Sequence, residues 1–493
     1  MGTYKNTVEV EVRERRLGSV LNYHGSLNNL IEKSKKRSLC ASCSNYEQCG
    51  NCGQENAGTL TTWVKDSVVI NHSPIGCGLD GIMYAASVRE NAIGQDRQVR
   101  RLSTNIQEKD TIYGASRKLE ATIDEAVRRF NPRVIFVLSS CVTGIIGDDL
   151  ESVAEEKGAE YGIPVIPIYC EGFKSKMWSS GFDAAYHGIF RRIVKEPTKK
   201  QNDLVNVFNF CGVDRLADLL AKVGLRTNYA TTFSTIEGLT ELSEAACSVQ
   251  FCDTLSSYIT TALEEKYGVV KIKNAPPFGI KWTDDWLREI GEVTGKQAEV
   301  ERVIEEEHQR IRPELEEYRK ILKGKRVFIM TGDTFAYQLA NVASDLGMEV
   351  AGIVTLHHDQ APDGDGGRGA LEKYKEDHGD FGKVNVCPKQ PYQALKLIKD
   401  ADPDLLICRH PGVENVAIRL GIPIVPEGDK NFSIAYDGLL KLAKRTVRAL
   451  KTQRIVKNIS AHSKLPYTKW WLEDKKEDPY YLSPKKLEKM PEI

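Results

Sequence analysis

The sequence predicts an α/β chain of three doubly wound, Rossmann-like parallel-sheet domains whose strand ends face a central cleft. Three observations carry this. Short apolar runs alternate with amphipathic helical stretches along most of the 493 residues, the pattern of βαβ units with helices on both sheet faces. A charged, proline-containing stretch at 195–202 and a long charged helix at 297–322 divide the pattern into three series. The length suits two to four domains at roughly 100–200 residues each.

Composition narrows the function classes. Hydrophobic residues make up 41% and charged residues 28%, ordinary for packed cores and wrong for a disordered chain. Lys+Arg and Asp+Glu are 68 each, so the basic surplus of a phosphate-tracking nucleic-acid binder is missing. No apolar run approaches the ~18–20 residues of a bilayer span. Residues 1–16 are polar and carry no apolar secretory segment. The expected location is cytoplasmic, with neither nucleic acid nor membrane as partner.

Residues 1–60 form a polar, Cys-rich N-terminal segment with one predicted helix at 27–36. The first α/β domain, 61–200, starts with a strand at 68–71. A helix at 111–130 follows, since Ile112, Leu119, Ile123, Ala126 and Val127 recur at helical spacing. Strands at 134–138 and 165–169 flank a helix at 149–161, and a helix at 182–194 closes the series. The second domain, 201–324, opens with a strand at 204–210 and a helix at 213–223. A helix following Asp253 and the helices of 283–322 complete it. The third, 325–450, has strands at 326–330, 350–354, 405–408 and 424–426, with helices at 336–346, 392–399, 413–420 and 434–449. Residues 451–493, lysine-rich and aromatic, read as a partner-docking tail.

The chain has twelve cysteines. A reducing cytosol disfavours a disulfide framework. Cys170, Cys211, Cys387 and Cys408 end apolar runs and read as small buried hydrophobes. Cys40-x2-Cys43-x5-Cys49-x2-Cys52 is different: two CxxC pairs bring four thiolates within reach of one tetrahedral metal or an iron–sulfur cluster. Cys77 in His72-Ser-Pro-Ile-Gly-Cys-Gly and Cys141 in Ser139-Ser-Cys-Val-Thr-Gly follow successive strands at small-residue turns. Two such turns at equivalent strand ends suggest ligands to a shared cluster.

HSPIGCG, STNIQEKDTIYG, SSC followed by GIIGDD, and GIPVIPIYCEGF together resemble the nitrogenase component-1 α-subunit family, in order and spacing, over roughly residues 48–450. The resemblance implies a cluster-binding central cleft and half of a P-cluster-type 8Fe iron–sulfur cluster, held by Cys52, Cys77 and Cys141 against a homologous β-type subunit in an α2β2 heterotetramer. Cys40, Cys43 and Cys49 depart from the family pattern and stand as possible extra ligands, for a further cluster or zinc. Cys252-Asp-Thr-Leu-Ser-Ser-Tyr-Ile, followed by Glu-Glu-Lys-Tyr-Gly, resembles the segment whose cysteine binds a large iron–sulfur–carbide cofactor, with the heterometal open. Cys247 is the nearby competitor, but its spacing to Tyr258 is wrong.

Two departures from dinitrogen-reducing members stand out. The second cofactor ligand of those members is a histidine shortly before a Phe-Asp-Gly helix start, and residues 426–438 here contain none. Where they carry a glutamine and a histidine after Glu171-Gly-Phe, Trp178 and Phe182 stand here. This apolar pair cannot relay protons as glutamine and histidine can, so it argues against dinitrogen reduction. His357 and His358 follow a strand; adjacent residues on an extended segment face opposite sides, so one reads as core and one as solvent-exposed, with either as the candidate second ligand or proton donor. Arg409, at another strand end, is a candidate cationic group beside an anionic cluster. Asp363-Gly-Asp-Gly-Gly-Arg-Gly is a weak phosphate-loop match and reads as a cleft-covering loop.

Within the family, a kept cofactor cysteine with a lost histidine looks most like methylthio-alkane reductase. That branch implies an oxidoreductase of sulfur metabolism and methionine salvage. It takes electrons from an ATP-hydrolysing iron protein and cleaves a C–S bond of a small-molecule thioether. An assembly scaffold for the nitrogenase cofactor would show the same departure and is the alternative. A dark-operative protochlorophyllide or chlorin reductase fits less well, because its tetrapyrrole site needs no cofactor cysteine.

Overall fold

The structure, a computed structural model, describes residues 2–40, 52–77, 100–209, 216–231, 234–361, 363, 369–387, 391–409, 413–428 and 432–467. A three-residue strand, β1 (Tyr23–Gly25), comes first in the chain. One sheet contains β2 (Ser67–Asn71), β3 (Arg101–Ser103), β4 (Val134–Leu138) and β5 (Val165–Ile168), ordered β3-β2-β4-β5 and parallel throughout. The next contains β6 (Gln201–Asn209), β7 (Arg226–Thr231), β8 (Ala245–Gln250) and β9 (Val270–Lys271), ordered β7-β6-β8-β9, again parallel. The last contains β10 (Arg326–Thr331), β11 (Glu349–Thr355), β12 (Val384–Val386), β13 (Leu405–Cys408) and β14 (Ile424–Pro426), ordered β12-β11-β10-β13-β14, with β1 added antiparallel beside β12. The three-sheet parallel α/β architecture is as the sequence predicts.

Burial on both faces explains the continuous apolar strands. In β4, Phe136 and Leu138 pack with Ile189 and Phe190 of the helix Ser180–Arg192, while Ile135 and Val137 pack with Leu119 and Ile123 of the helix Ser116–Phe130. In each sheet the strand order reverses beside the first strand, and crevices beyond the carboxyl ends at such reversals are where these sheets bind ligands. The reversals lie between β2 and β4, β6 and β8, and β10 and β13. Cys77 and Cys141 follow the first pair, Cys252 follows β8, and Asp333 and Arg409 follow the third.

Several elements differ from expectation. The single helix expected over 111–130 is two, Glu108–Tyr113 and Ser116–Phe130, broken at Gly114, whose φ is +84°. Strand β6 begins inside the expected linker at 195–202. Strands β7 (RTNYAT) and β8 (AACSVQ) went unpredicted because their residues are small or polar. The helix Gly53–Thr62 is also new: it is buried on every side, so it has no apolar stripe to reveal it. It crosses the helix Ser180–Arg192 so closely that a Cβ at Gly181 would overlap the Gly53 carbonyl. Of the expected docking tail, Gln453–Ala461 is a helix and 468–493 lie outside the described residues. Among the described residues no helix is long and apolar enough to cross a membrane.

The N-terminal segment is a strap across the molecule. Arg13 is fully buried and donates through Nε and Nη2 to Asp183, each at 2.7 Å, and through Nη1 to Asp359 at 3.2 Å. Arg16 pairs with Asp183 at 2.5 Å and with Asp363. Further up the chain, His187 Nε2 faces the Thr7 carbonyl at 2.8 Å and Nδ1 faces the Tyr258 hydroxyl at 2.5 Å. Burial pushes His187 down to about 4. A base depressed in the folded state contributes stability above its unfolded value, about 6.5, and that stability is lost as the pH falls toward 4. The thermal midpoint of the wild type should therefore fall more steeply between pH 7 and 5 than that of His187→Gln. Parallel profiles would place the acid sensitivity elsewhere.

Candidate functional site

Cys52, Cys77 and Cys141 meet at one exposed surface of the first sheet's carboxyl end. Cys52 precedes the helix Gly53–Thr62, and Cys141 opens the helix Cys141–Ile146. Cys77 closes the turn after β2, its N–H donating to the Pro74 carbonyl at 3.1 Å. All three thiols are free and exposed. Gly172 lies between two of them: a Cβ there would sit 3.6 Å from Cys52 Sγ and 3.7 Å from Cys141 Sγ. Burial, then the neighbouring Cys52 and Cys141, push the Cys77 thiol up. That mutual repulsion as thiolates is what a bound cation or cluster would relieve.

The sequence blocks around these cysteines are capping devices that hold the turns. Ser140 and Thr143 form a capping box at the Cys141 helix, with Ser140 N donating to Thr143 Oγ1 at 2.7 Å and Thr143 N to Ser140 Oγ at 3.3 Å. In QEKD, Gln107 N donates to Asp110 Oδ2 at 2.7 Å. In GIIGDD, Gly147 takes φ +71°, Asp149 caps the following helix through Ser152 N at 3.0 Å, and Asp148 lies 3.1 Å from His72 Nε2. This last contact ties the Cys77 turn to the Cys141 turn. Ile75, Ile112, Tyr113, Ile145 and Phe173, borne by these same segments, are each more than half exposed.

Cys40 is exposed and disulfide-bonded, against the expectation of reduced thiols throughout; Cys43, Cys49 and Cys211 lie outside the described residues. Cys170, Cys387 and Cys408 are buried, in line with the reading as small hydrophobes.

The second cluster of predicted residues gathers around Cys252, the residue before the helix Asp253–Tyr267. Cys252 is 7% exposed and shares one apolar core with Trp178 and Phe182. The Thr334 hydroxyl donates to its Sγ at 3.9 Å. Burial, then Asp253, push its thiol up, while Arg409 opposes the rise. Cys247 is the poorer thiolate: it lies inside β8 and burial pushes it up to about 12. Arg409 is stacked over Phe335 and Phe432, at 5.5 and 5.0 Å from the ring centres. Trp178 meets Phe182 edge-on at 5.7 Å and His357 edge-on at 5.8 Å.

The histidine pair departs from expectation, for both residues are buried. His358 faces Ser34 Oγ at 2.7 Å, and its backbone bridges to Val20, so the N-terminal strap covers the side expected to meet solvent. His357 is turned to the helix that follows Cys252, its Nε2 3.2 Å from Thr254 Oγ1, two residues along from Cys252. Within the histidine-free stretch 426–438, Glu427 is buried and accepts from Ser433 N at 2.5 Å and pairs with Arg445 at 2.5 Å. Residues 364–368, 410–412 and 429–431 lie outside the described residues, and with them His410 and most of the expected covering loop.

Arg13, Asp183, Asp333 and Asp359 converge behind this site without having been foreseen. Their partners lie 170 and 346 residues from Arg13, and no local sequence pattern encodes such a pairing.

The chain belongs to the nitrogenase component 1 type oxidoreductase family, whose model matches residues 52–451. It is 32% identical over 313 residues to the nitrogenase molybdenum–iron protein alpha chain of Methanosarcina barkeri, covering 60% of this chain and 58% of that one. It is 29% identical over 418 residues to the nitrogenase iron–molybdenum cofactor biosynthesis protein NifE of Clostridium pasteurianum, covering 80% and 85%. A solved structure titled "Nitrogenase Cp1 at pH 5" superposes with a TM-score of 0.69 at 21% identity, over 90% of this chain and 100% of that chain. This likeness is one of fold.

Proposed function

We propose that the chain is the catalytic subunit of a nitrogenase-like reductase that cleaves the C–S bond of small methylthio-alkanes. The observation that carries this reading is the aromatic wall of Trp178, Phe182 and His357 in the core that holds Cys252. Such a wall favours a small apolar thioether by burial, at ~25 cal/mol per Å² of apolar area, with Trp178 and Phe182 standing where the resemblance implies a glutamine and a histidine in dinitrogen-reducing members.

The donor sets suit the groups that the family implies. Three exposed thiols, Cys52 and Cys141 on either side of Gly172 with Cys77 beside them, suit half of a P-cluster-type cluster completed by a homologous β-type subunit, and the exposed apolar rim of Ile75, Ile112, Tyr113, Ile145 and Phe173 suits that interface. A single buried thiol at a helix start beside Arg409 suits one end of a large anionic iron–sulfur cofactor. Bound there, such a cofactor supplies low-potential electrons delivered by an ATP-hydrolysing iron protein. The residues do the rest: Trp178 and Phe182 seat the alkyl groups and exclude water, Arg409 holds charge, and His357 Nε2 and Thr254 Oγ1 position a proton. R–S–CH3 takes up two electrons and two protons to give R–H and CH3SH.

The test is anaerobic turnover of a small thioether by the assembled complex with iron protein and MgATP. Methanethiol and hydrocarbon should appear, with little ammonia from dinitrogen. Trp178→Ala should raise KM for small thioethers about tenfold and admit bulkier ones, and Cys77→Ala should lower iron content and electron delivery together. The NifE similarity favours a second reading, a cofactor-assembly scaffold. No thioether turnover, with transfer of the cluster to an apo-nitrogenase, would replace the first reading with that one.

A further inference from the structure

The residues behind His357 have a use that the cluster chemistry does not claim. Asp333 opens the helix Asp333–Asp345 after β10, and His357 and Asp359 follow β11 two residues apart, so they share a side of the extended segment. One ring nitrogen of His357, one oxygen of Asp333 and one of Asp359 all lie within 4.8 Å of one another. His357 is completely buried. Its Nε2 is taken by Thr254 Oγ1 at 3.2 Å, and its Nδ1 has no hydrogen-bond partner. A buried ring nitrogen with nothing to bind keeps its full desolvation cost, and such a group in a folded protein calls for an explanation.

The charge around it points the same way. Asp183, Asp333, Asp359 and Asp363 are four carboxylates at this junction. Arg13 and Arg16 pair with three of them, and Asp333 has His358 Nδ1 at 3.4 Å. The cavity alongside, of about 120 Å³, is lined by Asp253, Asp333, Asp359 and Asp363, so it holds more acid than base.

We infer that Asp333, His357 and Asp359 form a mononuclear site for a divalent first-row cation, bound through His357 Nδ1 and one oxygen of each carboxylate. Two carboxylates and an imidazole are hard-to-borderline donors that suit Zn²⁺, Fe²⁺ or Mn²⁺. Ligand atoms about 2.0–2.2 Å from a cation lie roughly 3–4 Å apart, so atoms within 4.8 Å of one another need only side-chain adjustment to share one. The cation relieves the Asp333–Asp359 repulsion and fixes the His357 ring against Trp178, with Nε2 left facing Thr254. The site uses no cysteine, so it stands or falls apart from the proposed clusters.

The experiment is a Co²⁺ titration of the full-length Cys252→Ala chain, stripped with chelator and kept anaerobic. Co²⁺ at this site shows ligand-field bands without sulfur-to-cobalt charge transfer, and Co²⁺ on cysteines shows the charge transfer. The expected result is one equivalent of the first kind per chain, with a rise in the thermal midpoint. His357→Gln and Asp333→Asn, added separately, should each weaken it at least tenfold while the metal-free chains melt like their parent. Binding of the thiolate kind alone, or the same affinity in both added variants, overturns the inference. A variant that melts early is set aside and the other decides. Loss of the cluster reading would appear as missing iron in the wild type and would leave this titration unchanged.

Discussion

On the proposed ligand sets, anaerobically purified Cys252→Ala is expected to lose the proposed large cofactor while keeping the iron proposed at Cys52, Cys77 and Cys141. Cys252 is the free thiol at the β8 carboxyl end, next to Arg409 and the Trp178 wall. Cys247 lies inside the strand, packed into a different apolar core from Cys252, so it is not placed to take over. Even outer partners of metal ligands cost 10–100-fold when removed, so loss of the ligand itself should reduce thioether turnover by more than a hundredfold. Iron per chain and the electron paramagnetic resonance of the reduced protein check it. A full iron complement in the variant would remove Cys252 from the ligand set.

Arg13→Ala should be among the most destabilising single substitutions in the chain. It leaves Asp183 with Arg16 alone and takes from Asp359 its guanidinium partner, in a place where water cannot compensate. Breaking a buried ion pair from one side costs about 3–5 kcal/mol. That corresponds to a thermal midpoint lower by several degrees in a chain of this size. Arg13→Lys should recover only part of the loss, because a point charge cannot reproduce the two-pronged contact with Asp183. A midpoint within a degree of the wild type for Arg13→Ala would show that the strap carries no such energy.

The contrast between Cys252 and Arg13 shows what a sequence makes legible. Strands such as β4 announce themselves because burial on both faces demands an apolar run. The cysteines stand out because their turns carry small and capping residues at fixed offsets, and hydrogen bonds within a few residues enforce those offsets. Strand β8 and the helix Gly53–Thr62 are silent because close packing, rather than periodicity, selected their residues. That neither His357 nor His358 meets solvent is invisible to local alternation, which predicts only that the two side chains point apart, because Ser34, which covers His358, lies 324 residues away.

The strap also has a consequence for biosynthesis. Arg13 leaves the ribosome well ahead of Asp359, which follows it by 346 positions. At about 5–20 residues per second that interval is roughly 20–70 seconds. Asp183 supplies the first counter-charge 170 positions on, together with the His187 contact to Thr7, so the strap gains its hold on the first sheet's side early. Asp359, the Val20–His358 bridge and the pairing of β1 with β12 come only with the last sheet. A chain released before Asp359 therefore keeps a half-docked strap, its buried guanidinium one carboxylate short.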